Sequence, residues 1–179
     1  TVRGLLQINA GRFIQAHHLG APSLKLLDAS FCTPFDFLTK RIGSLSTNYT
    51  FDRSLYVNFP RFRRLWLEHF DRDRSARRDF GPQLSWHVIR THIKGQSVDG
   101  VLEPEDYSSL PRNEQTISQQ RYQVVYERVW KAWYEGMCND KGFWDDQDLA
   151  GEAVVTQFQG NHCAVFCDEA QDFTRRQLE

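Results

Sequence analysis

At 179 residues, with 40% apolar and 13% aromatic side chains, the chain is long enough to bury a real core in one domain, or in one domain and part of another. That composition excludes a disordered polypeptide, and the apolar runs are too short to cross a bilayer, so no membrane partner and a soluble, cytoplasmic setting are expected. The net charge of −1 conceals two unlike halves: residues 1–94 carry 15 Lys and Arg against 7 Asp and Glu, the remainder 7 against 16, which suits a polyanion-facing half beside a half with another task.

Residues 1–30 mix short apolar clusters with Gly4, Gly11, Gly20 and Pro22, and Gly4–Ala10 and Ala29–Cys32 are candidate strands. The pair His17-His18 has no ligand partner at a diagnostic spacing and reads as a surface or helix-end feature. Thr33-Pro34-Phe35-Asp36-Phe37-Leu38 is a helix start, with Thr33 as cap and proline at the first position. Ser44–Thr50 is a polar junction, and Leu55–Phe59 is a short strand or an extended lead-in. Pro60–Phe70 follows as a helix. Leu84–Ile93 is another, with Trp86, Ile89 and Ile93 on one face, broken at Gly95–Asp99. Pro104 opens one further helical turn, stopped by Pro111.

From Thr116 the periodicity becomes strong: Tyr122, Tyr126, Val129, Trp133 and Met137 recur at helical steps, widened by Val125 and Trp130, which predicts a long packed helix. A later helix begins at Asp145, which caps it, with Trp144 and Leu149 as a hydrophobic staple and Asp148 at the positive helix end.

Two segments carry candidate chemistry. In Pro60–Asp79, Arg61, Arg63, Arg64, Arg72, Arg74, Arg77 and Arg78 interleave with Phe62, Trp66, His69 and Phe70. Cations for phosphates and rings for stacking are what a single-stranded nucleic acid groove uses, so Arg61, Arg63, Arg64 and Trp66 are candidate nucleic-acid contacts. The same four-residue spacing of Phe62, Trp66 and Phe70 also describes the buried stripe of an amphipathic helix whose arginines are neutralised by Glu68, Asp71, Asp73 and Asp79. The second segment is Cys163-Ala164-Val165-Phe166-Cys167, an unbroken apolar run that suits a strand covered on both faces. It leads into Asp168 and Glu169, where two carboxylates can divide the work of nucleotide hydrolysis, Asp168 holding magnesium and Glu169 orienting the attacking water.

The string Asp168-Glu169-Ala170-Gln171-Asp172 after such a strand resembles motif II, the Walker B element, of UvrD/Rep-type superfamily 1 DNA helicases. Upstream, Trp144-Asp145-Asp146-Gln147-Asp148-Leu149 is similar to the aromatic-Asp-x-x-Asp-Leu segment that precedes motif II there. The resemblance covers about the last 40 residues. It implies that Asp168 coordinates Mg2+, that Glu169 is the catalytic base, and that Gln171 couples the γ-phosphate to motion, with ATP as cofactor and single-stranded or duplex DNA as partner.

The family's phosphate loop is missing, since no Gly-Lys dipeptide occurs in the chain; Lys94-Gly95 and Lys141-Gly142 have the reverse order. The expectation is a piece of a larger motor, inactive alone, whose further partners are the remaining motor domains. The fold expected is mainly α with a small α/β part: residues 1–50 as an N-terminal segment of the motor, 51–159 as a helical accessory domain, and 160–179 as an incomplete edge of a RecA-like P-loop NTPase domain. The alternative is a non-catalytic protein- or nucleic-acid-binding module. A metal-dependent nuclease ranks below it, for want of a lysine beside the carboxylates. Cys32, Cys138, Cys163 and Cys167 show no Cys-x-x-Cys spacing and read as buried thiols.

Overall fold

The computed structural model describes residues 2–17, 31–43, 51–97, 100–155, 167 and 170–178. The chain divides into two compact units, Thr1–Leu45 and Ser46–Glu179, and both are mainly helical.

The first unit contains α1 (Val2–Ala16) and α2 (Pro34–Gly43). The candidate strand Gly4–Ala10 is therefore helical. Leu6, Ile8 and Ala10 alternate with Gln7 and Asn9 as a strand would, but a helix satisfies its own backbone and tolerates Gly4 and Gly11 at about 1 kcal/mol each. Ala29 and Ser30 of the other candidate strand lie outside the described residues, as do His18 and the junction 44–50. In α2, Thr33 caps as expected: its Oγ1 accepts the Asp36 amide at 3.0 Å, and Pro34 occupies the first turn, where its missing N–H costs nothing.

The second unit is a helical body. A 3-10 turn, Arg53–Leu55, leads through Tyr56 and Val57 into α3 (Phe59–His69), capped by Asn58, whose side chain accepts the Arg61 amide at 3.1 Å. The Leu55–Phe59 stretch is thus a lead-in, paired through one parallel bridge between Tyr56 and Trp144. Next come α4 (Arg74–Phe80), capped by Asp73, and α5 (Pro82–His87), which runs on into a π-helical segment, Val88–Ile93. After α6 (Pro104–Ser109), one long rod forms from α7 (Gln119–Val125), a π-helical segment (Tyr126–Tyr134) and α8 (Glu135–Lys141). Gly142 ends the rod at φ 68, a left-handed conformation that glycine adopts without strain. The last elements are α9 (Asp146–Val155), a 3-10 turn (Ala170–Asp172) and α10 (Arg175–Leu178).

The core is aromatic. Phe62, Trp66, Phe80, Tyr107, Tyr122 and Tyr134 are fully buried, so the four-residue stripe of α3 is a packing face. The π-helical register corrects the rod's expected stripe. A π turn is wider than an α turn, and this keeps Tyr122, Tyr126, Trp130 and Tyr134 on the buried side while Trp133 and Met137 are only half-buried. Tyr107 and Tyr122 stack at 3.9 Å between centroids, 6° from parallel, and their hydroxyls donate to the carbonyls of Ile117 and Leu102 at 2.8 and 2.6 Å. Each phenol of this stacked pair thus keeps a partner for its one polar atom.

His92 sits against this pair, 2% exposed, with Nε2 2.6 Å from Thr116 Oγ1. Burial, with the His87 charge adding to it, pulls its pKa down to about 4. The unfolded chain therefore binds a proton to this residue more readily than the folded one, and stability present above pH 6.5 is lost as pH falls toward 4. His69, also lowered by burial, acts with the same sign. Thermal unfolding followed by circular dichroism is expected to show a falling midpoint across that window, and His92→Gln should flatten the slope. An unchanged slope would remove His92 from the linkage.

Candidate functional site

Two features of the second unit carry unusual chemistry: a buried ionic node and an arginine-bearing surface. The node begins at Lys94, which follows the buried face formed by Ile89 and Ile93. Its side chain is 3% exposed, and Nζ lies 2.8 Å from Asp145 Oδ2 and 2.5 Å from Asp148 Oδ2. Both carboxylates belong to the start of α9, held there by local geometry. Asp145 Oδ1 accepts the Gln147 amide at 2.8 Å, and Asp148 Oδ2 accepts the Asp145 amide at 2.8 Å. This reciprocal pattern is a capping box with Asp in both positions.

Burial works against the Lys94 charge, but Asp145 and Asp148 outweigh it, and the ammonium is held more firmly than in water. Burial and the adjacent Asp145 push Asp148 upward. Tyr134 and Cys138 surround the same charges. Burial raises the Tyr134 phenol and pushes the Cys138 thiol up to about 12, so both stay neutral. The Tyr134 hydroxyl and Gln147 Nε2 have no hydrogen-bond partner.

Around the node the first and last described segments of the second unit are gathered in. Trp144, 5% exposed, donates Nε1 to the Asp52 carbonyl at 2.8 Å. Val57 donates to the Trp144 carbonyl at 2.7 Å, and Tyr56 donates its hydroxyl to Asp146 at 2.8 Å. On the other side, the Arg176 amide donates to the Gly95 carbonyl at 2.9 Å. Thr174 Oγ1 donates to Gln147 Oε1 at 2.7 Å. A Cβ on Gly95 would stand 2.8 Å from Thr174 Cγ2 and 2.3 Å from the Arg90 carbonyl, so the close approach requires glycine.

No protein-family model, curated protein or solved structure matches this chain. Asp168 and Glu169, together with Cys163–Phe166 of the expected strand, lie outside the described residues. Gln171 is exposed in the 3-10 turn. Cys167 is exposed and not in a strand, which corrects the expectation of a buried thiol there; Cys32 and Cys138 are half-buried and free. Among the described residues, no cluster of three His, Cys, Asp or Glu side chains is placed to hold a metal, and no helix is long and apolar enough to cross a membrane. Lys94, committed to two carboxylates, is not a phosphate ligand.

The arginine segment resolves into inner and outer members. Trp66 is 0% exposed, packed on Phe70 and Phe80, and its ring faces the core. Arg61 ties α3 to the turn before it, donating Nη1 to the Ser54 and Tyr56 carbonyls, with its guanidinium 4.7 Å from the Phe143 ring centroid. Arg78 pairs with Asp79 at 2.8 Å, and Asp73 pairs with Arg128 at 2.7 Å. Arg63, Arg64, Arg72, Arg74 and Arg77 are exposed and make no ion pair among the described residues. Sequence reasoning named this segment but not Lys94, Gln147 or Thr174. The available signal was a lysine placed directly after an apolar helix face, with a glycine behind it.

Removing one partner of a buried ion pair leaves an uncompensated charge and costs about 3–5 kcal/mol. Lys94→Met is expected to lose that much in urea unfolding. Adding Asp145→Asn and Asp148→Asn should restore part of it, because asparagine still caps the helix. Full stability of Lys94→Met alone would show that the node is not a stabilising constraint.

Proposed function

We propose that this chain belongs to an ATP-dependent DNA helicase or translocase of the superfamily 1 type, and that it contributes a helical accessory region together with the motif II carboxylates. The observation that carries the reading is the bond from Thr174 to Gln147, between residues 27 apart in sequence. It joins the two stretches on which the resemblance rests, the Trp144–Leu149 segment and the segment that continues motif II. In a motor these stretches have reason to be adjacent, since one belongs to the accessory region and the other to the nucleotide site.

In this reading Asp168, Glu169 and Gln171 hold the metal, activate water and couple the γ-phosphate to motion. ATP with Mg2+ supplies the phosphoryl group and neutralises its charge. The phosphate loop comes from outside this sequence. Without it, this chain turns over no ATP, because phosphoryl transfer depends on electrostatic stabilisation of the phosphates. Single-stranded DNA is the partner of the exposed arginines, with Arg63 and Arg64 as contacts and Arg61 and Trp66 as internal supports. A binding module without catalysis is the second reading. The unpaired arginines favour it, since they need no nucleotide.

The parent gene decides between them: a Gly-x-x-x-x-Gly-Lys loop upstream and arginine-bearing motifs downstream are expected, and their absence would sink the motor reading. In the full-length protein, Glu169→Gln is expected to abolish ATP turnover with nucleotide binding retained; persistent turnover would remove Glu169 as the base. Single-stranded DNA affinity measured against salt should weaken for Arg63→Ala with Arg64→Ala, the log–log slope falling by about 2. An unaltered slope would exclude these two as phosphate contacts.

A further inference from the structure

We infer that Lys94 and Thr174 are positioning residues that hold the Gln171 turn in register with the helical body, an inference that rests on the motor reading above. Thr174 comes three residues after Gln171, and the Phe173 amide closes the intervening turn by donating to the Ala170 carbonyl at 3.2 Å. Four contacts then seat the chain. Thr174 Oγ1 donates to Gln147 Oε1 at 2.7 Å. The Arg176 amide donates to the Gly95 carbonyl at 2.9 Å. Arg176 Nη2 donates to the Gly100 carbonyl at 3.0 Å. The Arg176 guanidinium fills the space over Gly151, where a Cβ would lie 3.2 Å from Cζ.

Three of the four receiving groups, at Gly95, Gln147 and Gly151, belong to or adjoin an element pinned by Lys94. Gly95 is its chain neighbour, and Gln147 lies between the two carboxylates that clamp its ammonium. The buried ion triad thus fixes both walls of the slot. Gln147 is 0% exposed, so its carbonyl oxygen has no water to accept from in place of Thr174. A displacement of Gln171 on a change of nucleotide therefore either moves α5 and α9 with it or breaks the Thr174 bond. That makes the slot the mechanical link between motif II and the arginine-bearing body.

The test uses the full-length protein and the variant Thr174→Val, which keeps the methyl packed on Gly95 and deletes the hydroxyl. Expected are a melting midpoint lower by a few degrees, because the buried Gln147 carbonyl loses its donor, an unchanged KM for ATP, kcat lower by about tenfold, and loss of DNA-stimulated turnover. The Arg176 amide should exchange with solvent about tenfold faster. The triple variant Lys94→Met, Asp145→Asn, Asp148→Asn, which leaves no charged side chain in the node, should lower kcat in the same way. Glu169→Gln, run in parallel, separates the two ideas. If it retains turnover, the motor reading fails whatever Thr174→Val does. If it abolishes turnover while Thr174→Val keeps wild-type kcat and DNA stimulation, the positioning role fails and the motor reading stands. A drop in midpoint accompanied by proportionate losses in KM and kcat would also overturn the inference, assigning Thr174 to general packing.

Discussion

The second unit depends on a single buried ammonium. Lys94 and its carboxylates are 51 and 54 residues apart in sequence, and their contact sets where the end of the π-helical segment meets the start of α9. Two carboxylates facing one ammonium leave an excess of acceptor oxygens, which take backbone amides at the α9 N-terminus, where a helix favours anions. The node is thus balanced only when the helix start and the lysine are both in place. Once they are, Gly95 and Gln147 stand at a fixed separation, and the segment Thr174–Leu178 has a slot with one register.

The aromatic core is arranged around the same constraint. Trp130 lies with its ring centroid 6.0 Å from Lys94 Nζ, and Tyr134 is one turn further along the rod. Both are inward because the rod winds as a π-helix from Tyr126 to Tyr134. In an α-helix, residues four apart drift around the axis, so a stripe at steps of four would gradually leave the core. The wider π turn removes most of that drift. The second π-helical segment, Val88–Ile93, delivers Val88, Ile89, His92 and Ile93 together to the interior and ends directly at Lys94. Both irregular segments therefore border the node, which agrees with the tendency of π-bulges to mark functional or constrained places in helices.

The arginine surface obeys a different rule. Arg61, which the helix turns toward Phe143, becomes part of the scaffold, while Arg63 and Arg64 on the outer side remain available to a polyanion. Arg78 and Arg128 are neutralised by neighbouring aspartates. Among the described residues of the second unit, the exposed arginines outside these pairs include Arg63 and Arg64 on α3, Arg72 in the turn after it, and Arg74 and Arg77 on α4.

By itself, the sequence determined the mainly helical character, the caps at Thr33 and Asp145, and the long rod from Gln119. All of these follow from local periodicity and side-chain to backbone hydrogen bonds within a few residues. It left the stripe of Phe62, Trp66 and Phe70 open between packing and nucleic-acid contact. It also supplied the resemblance that names Asp168, Glu169 and Gln171. What only the tertiary structure decided is the pairing of distant charges. Lys94 looked like a failed phosphate-loop lysine and Asp145 like a helix cap, and nothing local says that one neutralises the other. The π register, which exchanged Trp133 for Tyr134 at the core, was equally hidden, because a periodicity read at α-helical pitch cannot register a change of pitch. Gly4–Ala10 became helix rather than strand for a similar reason: a strand needs a partner to satisfy its backbone, whereas a helix satisfies its own.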